Sequence, residues 1–391
     1  MKIGILTFHR SINYGAFLQA YALSDMLRKK MPKDSVEIID YIAPLEKRKI
    51  PINVLWGIKH YGVINGIRDM QKICSFKKAY KTLPLSERSS FKNLTDLYKF
   101  IDKTYDILII GSDAIFNWNQ NGYPTAYIPM YKFENCRIIT YAASVHGLRY
   151  SDVNKKMLDE CGKVFSHMDI VGVRDKNSEN FVRACCNSAK VLHCCDPTVF
   201  IDKEAIKKYS YDFKNRILKK HKCDLTKKYI VLMLPDCLPA EKIREKYAGK
   251  YQIITLFRPS EYADKYLYDL NPFEWASVLS CAEMVVTSYF HGTLLSLRHE
   301  TPVLTIDFSD YNDGIYEGKL KDLLCTRLGM SECYFDGNDI DRNDIINEMM
   351  CVIDKALTGE FQQKIKTSME KEAESFNTFS DEFQALLCKT E

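Results

Sequence analysis

The sequence predicts an α/β protein of two domains, each with a parallel sheet covered by helices, facing each other across a cleft. Short, uninterrupted apolar runs recur between segments of helical spacing such as Phe17–Leu27. That alternation is typical of parallel strands buried on both faces. The chain also has 391 residues, which is long enough for two domains of ordinary size.

Nine apolar runs are predicted strands, in two series separated by a charged stretch. The first series holds five runs: Ile3–Phe8, Val36–Asp40, Ile107–Gly111, Ile138–Ala142 and Ile170–Val173. The second series holds four runs: Tyr229–Leu234, Ile253–Phe257, Met284–Thr287 and Val303–Ile306.

The charged stretch at about 203–228 lacks strand character and marks the predicted domain junction. We therefore predict an N-terminal domain over residues 1–212 and a C-terminal domain over 213–391, with terminal helices from Arg342 onward. Residues 43–104 form a basic, aromatic-rich insertion with helical spacing. A packed helical elaboration, a lid and an acceptor platform are the three interpretations of this insertion.

Composition excludes several classes of function. A net charge of +4 is too small to indicate a nucleic-acid binder. No run approaches the roughly 18 apolar residues that span a bilayer. The N-terminus reads as a first strand rather than a signal peptide, so we expect a cytoplasmic protein. Fourteen cysteines without a C-x-x-C pair favour reduced, buried thiols, and we expect no metal site.

Polar residues follow six of the predicted strands. In doubly wound sheets, ligands bind beyond the carboxyl ends of the strands, where helices present their N-termini. After the first strand, Asn13 and Gly15 occupy the position of an anion-binding turn, although Ser11 or Asn13 as a helix cap is an equal interpretation. The other strand-end residues are Ser112, Asp113, Ser144, His146, Arg174, Asp196, Arg258, His291 and Gly292.

Several segments together resemble the polysaccharide pyruvyl transferase family. The resemblance covers most of the chain and implies paired Rossmann-like domains of the glycosyltransferase-B-like kind, with the active site between them. It also implies transfer of a pyruvyl group from phosphoenolpyruvate onto two sugar hydroxyls, giving a cyclic ketal. No cofactor or metal is expected, since phosphoenolpyruvate is a co-substrate. The segments are NYGAFLQAYAL, DILIIGSDAIFN, YAASVHG, VGVRDKNS, CCDPTVF, TSYFHGTLLSLRHETPVLTID and YEGKLKDLL.

The resemblance implies donor-side basic residues at Arg174 and His291, and the strand-end position of Arg258 adds a third. His291 is the candidate acid–base catalyst because imidazole titrates near neutrality; whether it protonates carbon, protonates the phosphate or only binds charge stays open. Asp113 is the candidate base for a sugar hydroxyl. The remaining expectations are donor contacts from Asn13, Gly15 and Gly292, and acceptor contacts from Ser112, Ser144 and His146.

Two other functions stay open. One is a glycosyltransferase using a sugar nucleotide, for which Glu300 is the only carboxylate soon after His291. The other is a non-catalytic glycan- or anion-binding relative, favoured by Ala114 and Phe116 where the family more usually shows Gln and Trp. The expected partners are phosphoenolpyruvate and a sugar or lipid-linked oligosaccharide. A lipid-linked acceptor would place the protein at the inner face of the membrane, and the oligomeric state stays open.

Overall fold

The structure, a computed structural model, describes residues 1–206, 213–309 and 318–388. The strands of the first sheet are β1 (Lys2–Leu6), β2 (Ser35–Ile38), β3 (Ile107–Ile110), β4 (Arg137–Ala143), β5 (Ile170–Val173) and β6 (Val191–His193). Those of the second are β7 (Tyr229–Met233), β8 (Gln252–Thr255), β9 (Lys265–Tyr266), β10 (Met284–Thr287), β11 (Val303–Asp307) and β12 (Tyr334–Asp336).

All strand pairs in the described residues are parallel. The strand order is β2-β1-β3-β4-β5-β6 in the first sheet and β12-β11-β10-β7-β8-β9 in the second. The predicted fold class, two parallel sheets in an α/β chain, is thereby confirmed. All nine predicted strands are present; β6, β9 and β12 were missed because these short edge strands of two or three residues carry no continuous apolar run.

Eleven helices of nine or more residues connect and cover the strands of the described chain. They are α1 (Tyr14–Lys30), α2 (Pro44–Tyr61), α3 (Val63–Ala79), α4 (Leu94–Thr104), α5 (Lys155–Phe165), α6 (Lys176–Cys185), α7 (Leu238–Tyr247), α8 (Pro272–Ser280), α9 (Phe290–Arg298), α10 (Asn343–Leu357) and α11 (Gln362–Cys388).

The two sheets share one apolar core. Tyr14 of α1 stacks on Trp275 of α8, with ring centroids 5.1 Å apart and planes 4° from parallel. Phe17 meets Phe273 edge-on at 5.6 Å beside this pair. A single cluster of buried side chains runs from β1 of the first sheet through this contact into β7 and β10 of the second. The domains are therefore joined by an extensive hydrophobic interface, which opposes movement of one domain against the other.

The predicted insertion contains a helical hairpin, which we define as α2 and α3 together (residues 44–79). The two helices are connected at Gly62 and pack against each other. The end of α3 joins the body of the protein, where Phe76 is fully buried against Tyr14. Ser75 donates a hydrogen bond of 2.6 Å to the backbone oxygen of Asp269, so the hairpin contacts both domains.

Helix α11 returns from the second half of the chain to the first sheet. Phe379 packs edge-on against Tyr141 of β4 at 4.8 Å. The amide of Cys195 donates to Ser375 Oγ over 3.2 Å at the same contact. The predicted domain boundary at 212–213 borders residues 207–212, which lie outside the described residues, and its position stays a prediction.

Phe379→Ala is expected to lower the free energy of unfolding by about 3–5 kcal/mol, because it opens a cavity where a fully buried ring meets Tyr141. The exposed neighbour Thr378 supplies the matched control, Thr378→Ala. Urea unfolding followed by tryptophan fluorescence measures both variants. Equal midpoints for the two would show that α11 contributes little to the first sheet.

Candidate active site

A cavity of about 640 Å³ lies where the carboxyl ends of both sheets meet. Its walls come from the segments after β1, β3 and β4 on one side and after β8 and β10 on the other, with the helical hairpin at its edge. The ionisable side chains that line it are Glu46, Asp69, Lys72, Asp113, His146, Arg258, His291 and Lys319. A second cavity of about 300 Å³ adjoins the same His146 and Lys319 side chains.

The first turns of α1 and α9 touch each other at the floor of this cavity. Asn13 caps α1, because its side-chain oxygen accepts a hydrogen bond of 3.2 Å from Ala16 N. This is the helix-cap interpretation of Asn13. A Cβ on Gly15 would lie 2.0 Å from Cδ2 of His291, so only glycine lets the imidazole pack here. Gly15 thus allows α1 to approach His291 closely. The N-termini of both helices carry partial positive charge and face the cavity.

His291 lies within α9 rather than before it. The helix begins at Phe290, because Thr287 Oγ1 accepts a hydrogen bond from Tyr289 N and closes the preceding turn. Gly292 follows in the same turn and also lines the cavity. The imidazole therefore projects from the first turn of the helix toward α1.

Arg174 belongs to a buried network of charged side chains beneath the cavity. Its own side chain does not line the cavity. Its guanidinium is 1% exposed, donates 2.7 Å to Asp196 Oδ2, and lies 3.6 Å from Asp113 Oδ1. The ring of Phe290 packs 4.3 Å from the guanidinium carbon. The predicted donor-binding arginine is thus engaged by two carboxylates, because a buried cation requires compensation.

The imidazole of His291 faces the same network. Its Nδ1 lies 4.0 Å from Asp196 Oδ1, and within the described residues neither ring nitrogen has a hydrogen-bond partner. Burial lowers the pKa of His291 below its ordinary value, even though Asp196 and Asp113 act to raise it. At neutral pH the ring is accordingly uncharged and able to accept a proton.

Asp113 lines the cavity from a strained turn after β3. Gly111 has φ +137°, and a Cβ there would lie 2.0 Å from the backbone oxygen of Tyr141, so this turn requires glycine. Burial acts to raise the pKa of Asp113, but Arg174 and His291 offset this, and the pKa falls below its ordinary value. The carboxylate is therefore ionised at neutral pH.

His146 and Lys319 form the opposite wall. Lys319 and then burial lower the pKa of His146 to about 3. Burial, with the charge of Arg174, also lowers the pKa of Lys319. His146 is thus a neutral imidazole beside a cation, which suits it to accept or donate hydrogen bonds to a ligand rather than to bind it by charge.

Ser112 and Ser144, both predicted to contact an acceptor, are completely buried and do not line the cavity. Ser112 Oγ donates 2.6 Å to Gln19 Oε1, and Ser144 Oγ donates 2.6 Å to Asp175 Oδ2. The residues that reach the cavity are instead Asp113 and His146, whose backbones take positive φ angles of 79° and 52° just after these serines. Arg258 lines the cavity beside the ring of Trp56 at 5.3 Å, and its contact with a donor stays a prediction.

Sequence reasoning missed Lys72, which lines the cavity from α3. Its ammonium lies 4.6 Å from the ring of Tyr14 and 5.5 Å from that of Phe257. Burial lowers the pKa of Lys72 to about 8, against the opposing charge of Asp69. Helical spacing was an available signal, because Lys72 lies four residues before the buried Phe76 and therefore on the face that packs against the body.

The described residues contain no group of three or more His, Cys, Asp or Glu side chains that could hold a metal ion. All fourteen cysteines are free. Within the same residues, no helix has the length and apolar character needed to cross a bilayer.

Comparison with known proteins identifies the family. The family model described as polysaccharide pyruvyl transferase matches residues 13–310, which include the cavity residues from Asn13 to Gly292. The chain belongs to the polysaccharide pyruvyl transferase family. Membership supports a pyruvyl-transfer role in polysaccharide biosynthesis, with a sugar or polysaccharide acceptor. None of the curated proteins matches the chain.

Solved structures confirm the glycosyltransferase-B-like fold of this pyruvyl transferase family member. UDP-GlcNAc 2-epimerase from Neisseria meningitidis, bound to UDP-GlcNAc, is 10% identical with a TM-score of 0.56, covering 98% of this chain and 100% of the epimerase. The epimerase from Methanocaldococcus jannaschii is 14% identical with a TM-score of 0.52, covering 91% and 93%. The wall teichoic acid polymerase TagF is 12% identical with a TM-score of 0.51, covering 100% and 90%.

Gly15→Ala is expected to destabilise the protein because its Cβ would meet the ring of His291. In a His291→Ala background the contacts with the ring atoms at 2.0 and 2.4 Å are gone and only the contact with Cβ at 2.7 Å remains, so the same substitution should cost less. Urea unfolding of the four members of this double-mutant cycle measures the coupling, which we expect at about 1–3 kcal/mol. Additive costs would contradict the contact between the two helix N-termini.

Proposed function

We propose that this pyruvyl transferase family member moves the enolpyruvyl group of phosphoenolpyruvate onto two hydroxyls of a sugar, in a polysaccharide or its lipid-linked precursor. Phosphate leaves and a cyclic pyruvate ketal forms. The observation that carries this proposal is one cavity in which His291, Asp113 and Lys319 surround two helix N-termini. Such an arrangement supplies a proton carrier, a base and positive potential for an anionic donor.

The donor is a small, multiply charged anion, and the cavity wall offers it the cations Lys72, Arg258 and Lys319. We assign Arg174 an indirect part, because its guanidinium already pairs with Asp196 and holds Asp113 in position. The N-termini of α1 and α9 add backbone N–H groups and positive dipole ends, which favour phosphate and carboxylate. A cavity of about 640 Å³ leaves room for a sugar ring beside this donor.

The chemistry balances with two hydroxyls as the proton source. The methylene carbon of phosphoenolpyruvate gains one proton, and the first sugar oxygen bonds to the adjacent carbon. The second sugar oxygen then bonds to that same carbon and closes the ring, while the bond between this carbon and the phosphate oxygen breaks. One hydroxyl proton ends on the new methyl group and the other leaves with the phosphate. Asp113 is ionised and serves as base for a hydroxyl.

We assign the role of proton carrier to His291. It is neutral in the free protein, since burial lowers its pKa. A multiply charged anion placed beside the ring favours the imidazolium and raises that pKa. Donor binding therefore turns His291 from an acceptor into a donor of a proton, which is the state that protonation of carbon or phosphate requires.

Placement of the remaining residues bears on the two alternatives. Glu300, the carboxylate that a glycosyltransferase would use, pairs with Lys203 at 2.6 Å and does not line the cavity. Phe116 is fully buried against Phe165, with ring centroids 5.3 Å apart, so its difference from the usual Trp lies in the core. The position of Glu300 favours pyruvyl transfer over glycosyl transfer, whereas Ala114 lines the cavity and keeps the non-catalytic alternative for the assay to decide.

His291→Ala is expected to lower turnover roughly 10²–10⁴-fold without loss of the fold, because positioned acid–base catalysis contributes about that much. Lys319→Met should weaken the apparent affinity for phosphoenolpyruvate roughly 10- to 100-fold through loss of a charged contact. The assay supplies free and lipid-linked galactose, mannose and glucosamine-type acceptors with phosphoenolpyruvate. Phosphate release and the mass of a pyruvyl ketal on the acceptor are measured together.

The matched control is His167→Ala, which removes an exposed imidazole outside the cavity and should keep full turnover. A parallel incubation with sugar nucleotides tests the glycosyltransferase alternative through nucleoside diphosphate release. Ketal formation unchanged in His291→Ala would remove that residue from the mechanism. Donor binding without phosphate release on any acceptor would favour the non-catalytic alternative.

Binding of phosphoenolpyruvate at neutral pH is expected to take up protons, because the anion raises a pKa that burial had lowered. Titration calorimetry in two buffers of different ionisation enthalpy gives the number of protons taken up. The uptake should disappear in His291→Gln and persist in His167→Gln. Buffer-independent heats for the unaltered protein would refute the proton-carrier assignment.

A further inference from the structure

The helical hairpin carries most of the exposed apolar surface of the described chain. The described chain has fifteen exposed large hydrophobic side chains, and nine of them belong to the hairpin, although the hairpin accounts for a small share of the residues. Leu55, Val63 and Ile64 are the most exposed, at 66%, 66% and 68%. The nine are Leu45, Ile52, Leu55, Trp56, Ile58, Val63, Ile64, Ile67 and Met70. A patch of this kind on an otherwise ordinary surface marks an interaction site.

The spacing of these side chains is helical. On α2 the sequence of exposed positions 52, 55 and 56 follows the three- and four-residue steps of one helix face. On α3 the positions 63, 67 and 70 do the same. The opposite side of α3 carries Lys72 and Phe76, which pack on the body of the protein. Each helix of the hairpin therefore turns a row of apolar side chains to solvent.

The charge of the hairpin is opposite to that of an anionic bilayer. Residues 44–79 contain eight Lys or Arg and two Asp or Glu, a net charge of +6, whereas the whole chain carries +4. Lys47, Arg48, Lys59, Lys77 and Lys78 are exposed. Exposed hydrophobic side chains flanked by basic ones are typical of helices that lie in the interface of a membrane containing anionic lipids.

We propose that the helical hairpin docks on an anionic lipid bilayer, with its apolar side chains in the interface and its basic side chains at the headgroups. Trp56 belongs both to the exposed apolar set and to the cavity lining, so the docking surface continues into the edge of the cavity. A bilayer held there lies beside the cavity opening. This surface goes beyond the proposed reaction, and vesicle binding tests it without any substrate.

The test is flotation of the full chain with vesicles of phosphatidylcholine alone and with vesicles that also contain phosphatidylglycerol. The unaltered protein should float with the anionic vesicles, and less so as salt rises and screens the charges. Leu55→Glu combined with Ile64→Glu should reduce the bound fraction roughly tenfold or more, since it removes apolar contacts and adds repulsion. Both side chains are exposed and neither lines the cavity, so the fold and the site stay intact.

Leu225→Glu is the matched control, because Leu225 is a leucine of 50% exposure outside the hairpin, and binding should be unchanged. Lys47→Glu combined with Arg48→Glu separately tests the charge contribution and should lower binding to the anionic vesicles only. Absence of flotation, or equal flotation of the Leu55/Ile64 variant, overturns the proposal. The alternative outcome, in sedimentation experiments, is that the unaltered protein forms a dimer and the Leu55/Ile64 variant is a monomer. That result, without vesicle binding, would assign the surface to a second copy of the chain.

Discussion

The apolar contact between the two sheets is the constraint on which the site depends. Tyr14 stacked on Trp275, with the core around them, fixes α1 of one domain against α8 of the other. Because Gly15 is the next residue of α1, that contact also sets the distance between α1 and His291. The geometry of the candidate site is thus assembled by packing between domains, and its cavity is already present without a ligand.

Charges beneath the cavity are paired with one another before any ligand enters. Arg174 contacts both Asp113 and Asp196, so these three groups form an internal network rather than a free binding site. Positive potential in the cavity therefore comes from groups outside this network, namely Lys72, Arg258, Lys319 and the two helix N-termini. The charge of Arg174 keeps Asp113 ionised against the effect of burial and holds it in place, which is a use of buried ion pairs for positioning rather than for stability.

The sequence was informative where burial is two-sided and where strands end. The nine long strands were predictable because their apolar runs are continuous, and His291, Asp113, His146 and Arg258 reach the cavity from strand ends. Features that depend on tertiary packing were not predictable. The sequence does not indicate which of the neighbours Ser112 and Asp113 faces the core, and packing buries Ser112. Nor does it indicate that the insertion folds back onto the cleft, which brings Lys72 to the cavity wall.

The position of α11 has a consequence for how the protein is made. Tyr141 in the fourth strand of the first sheet is covered by Phe379, which follows it by more than half the length of the chain. As synthesis proceeds from the N-terminus, the first domain emerges from the ribosome with this apolar face uncovered. Its folding is completed only after α11 has been translated, so this aggregation-prone surface stays exposed while the residues between Tyr141 and Phe379 are made.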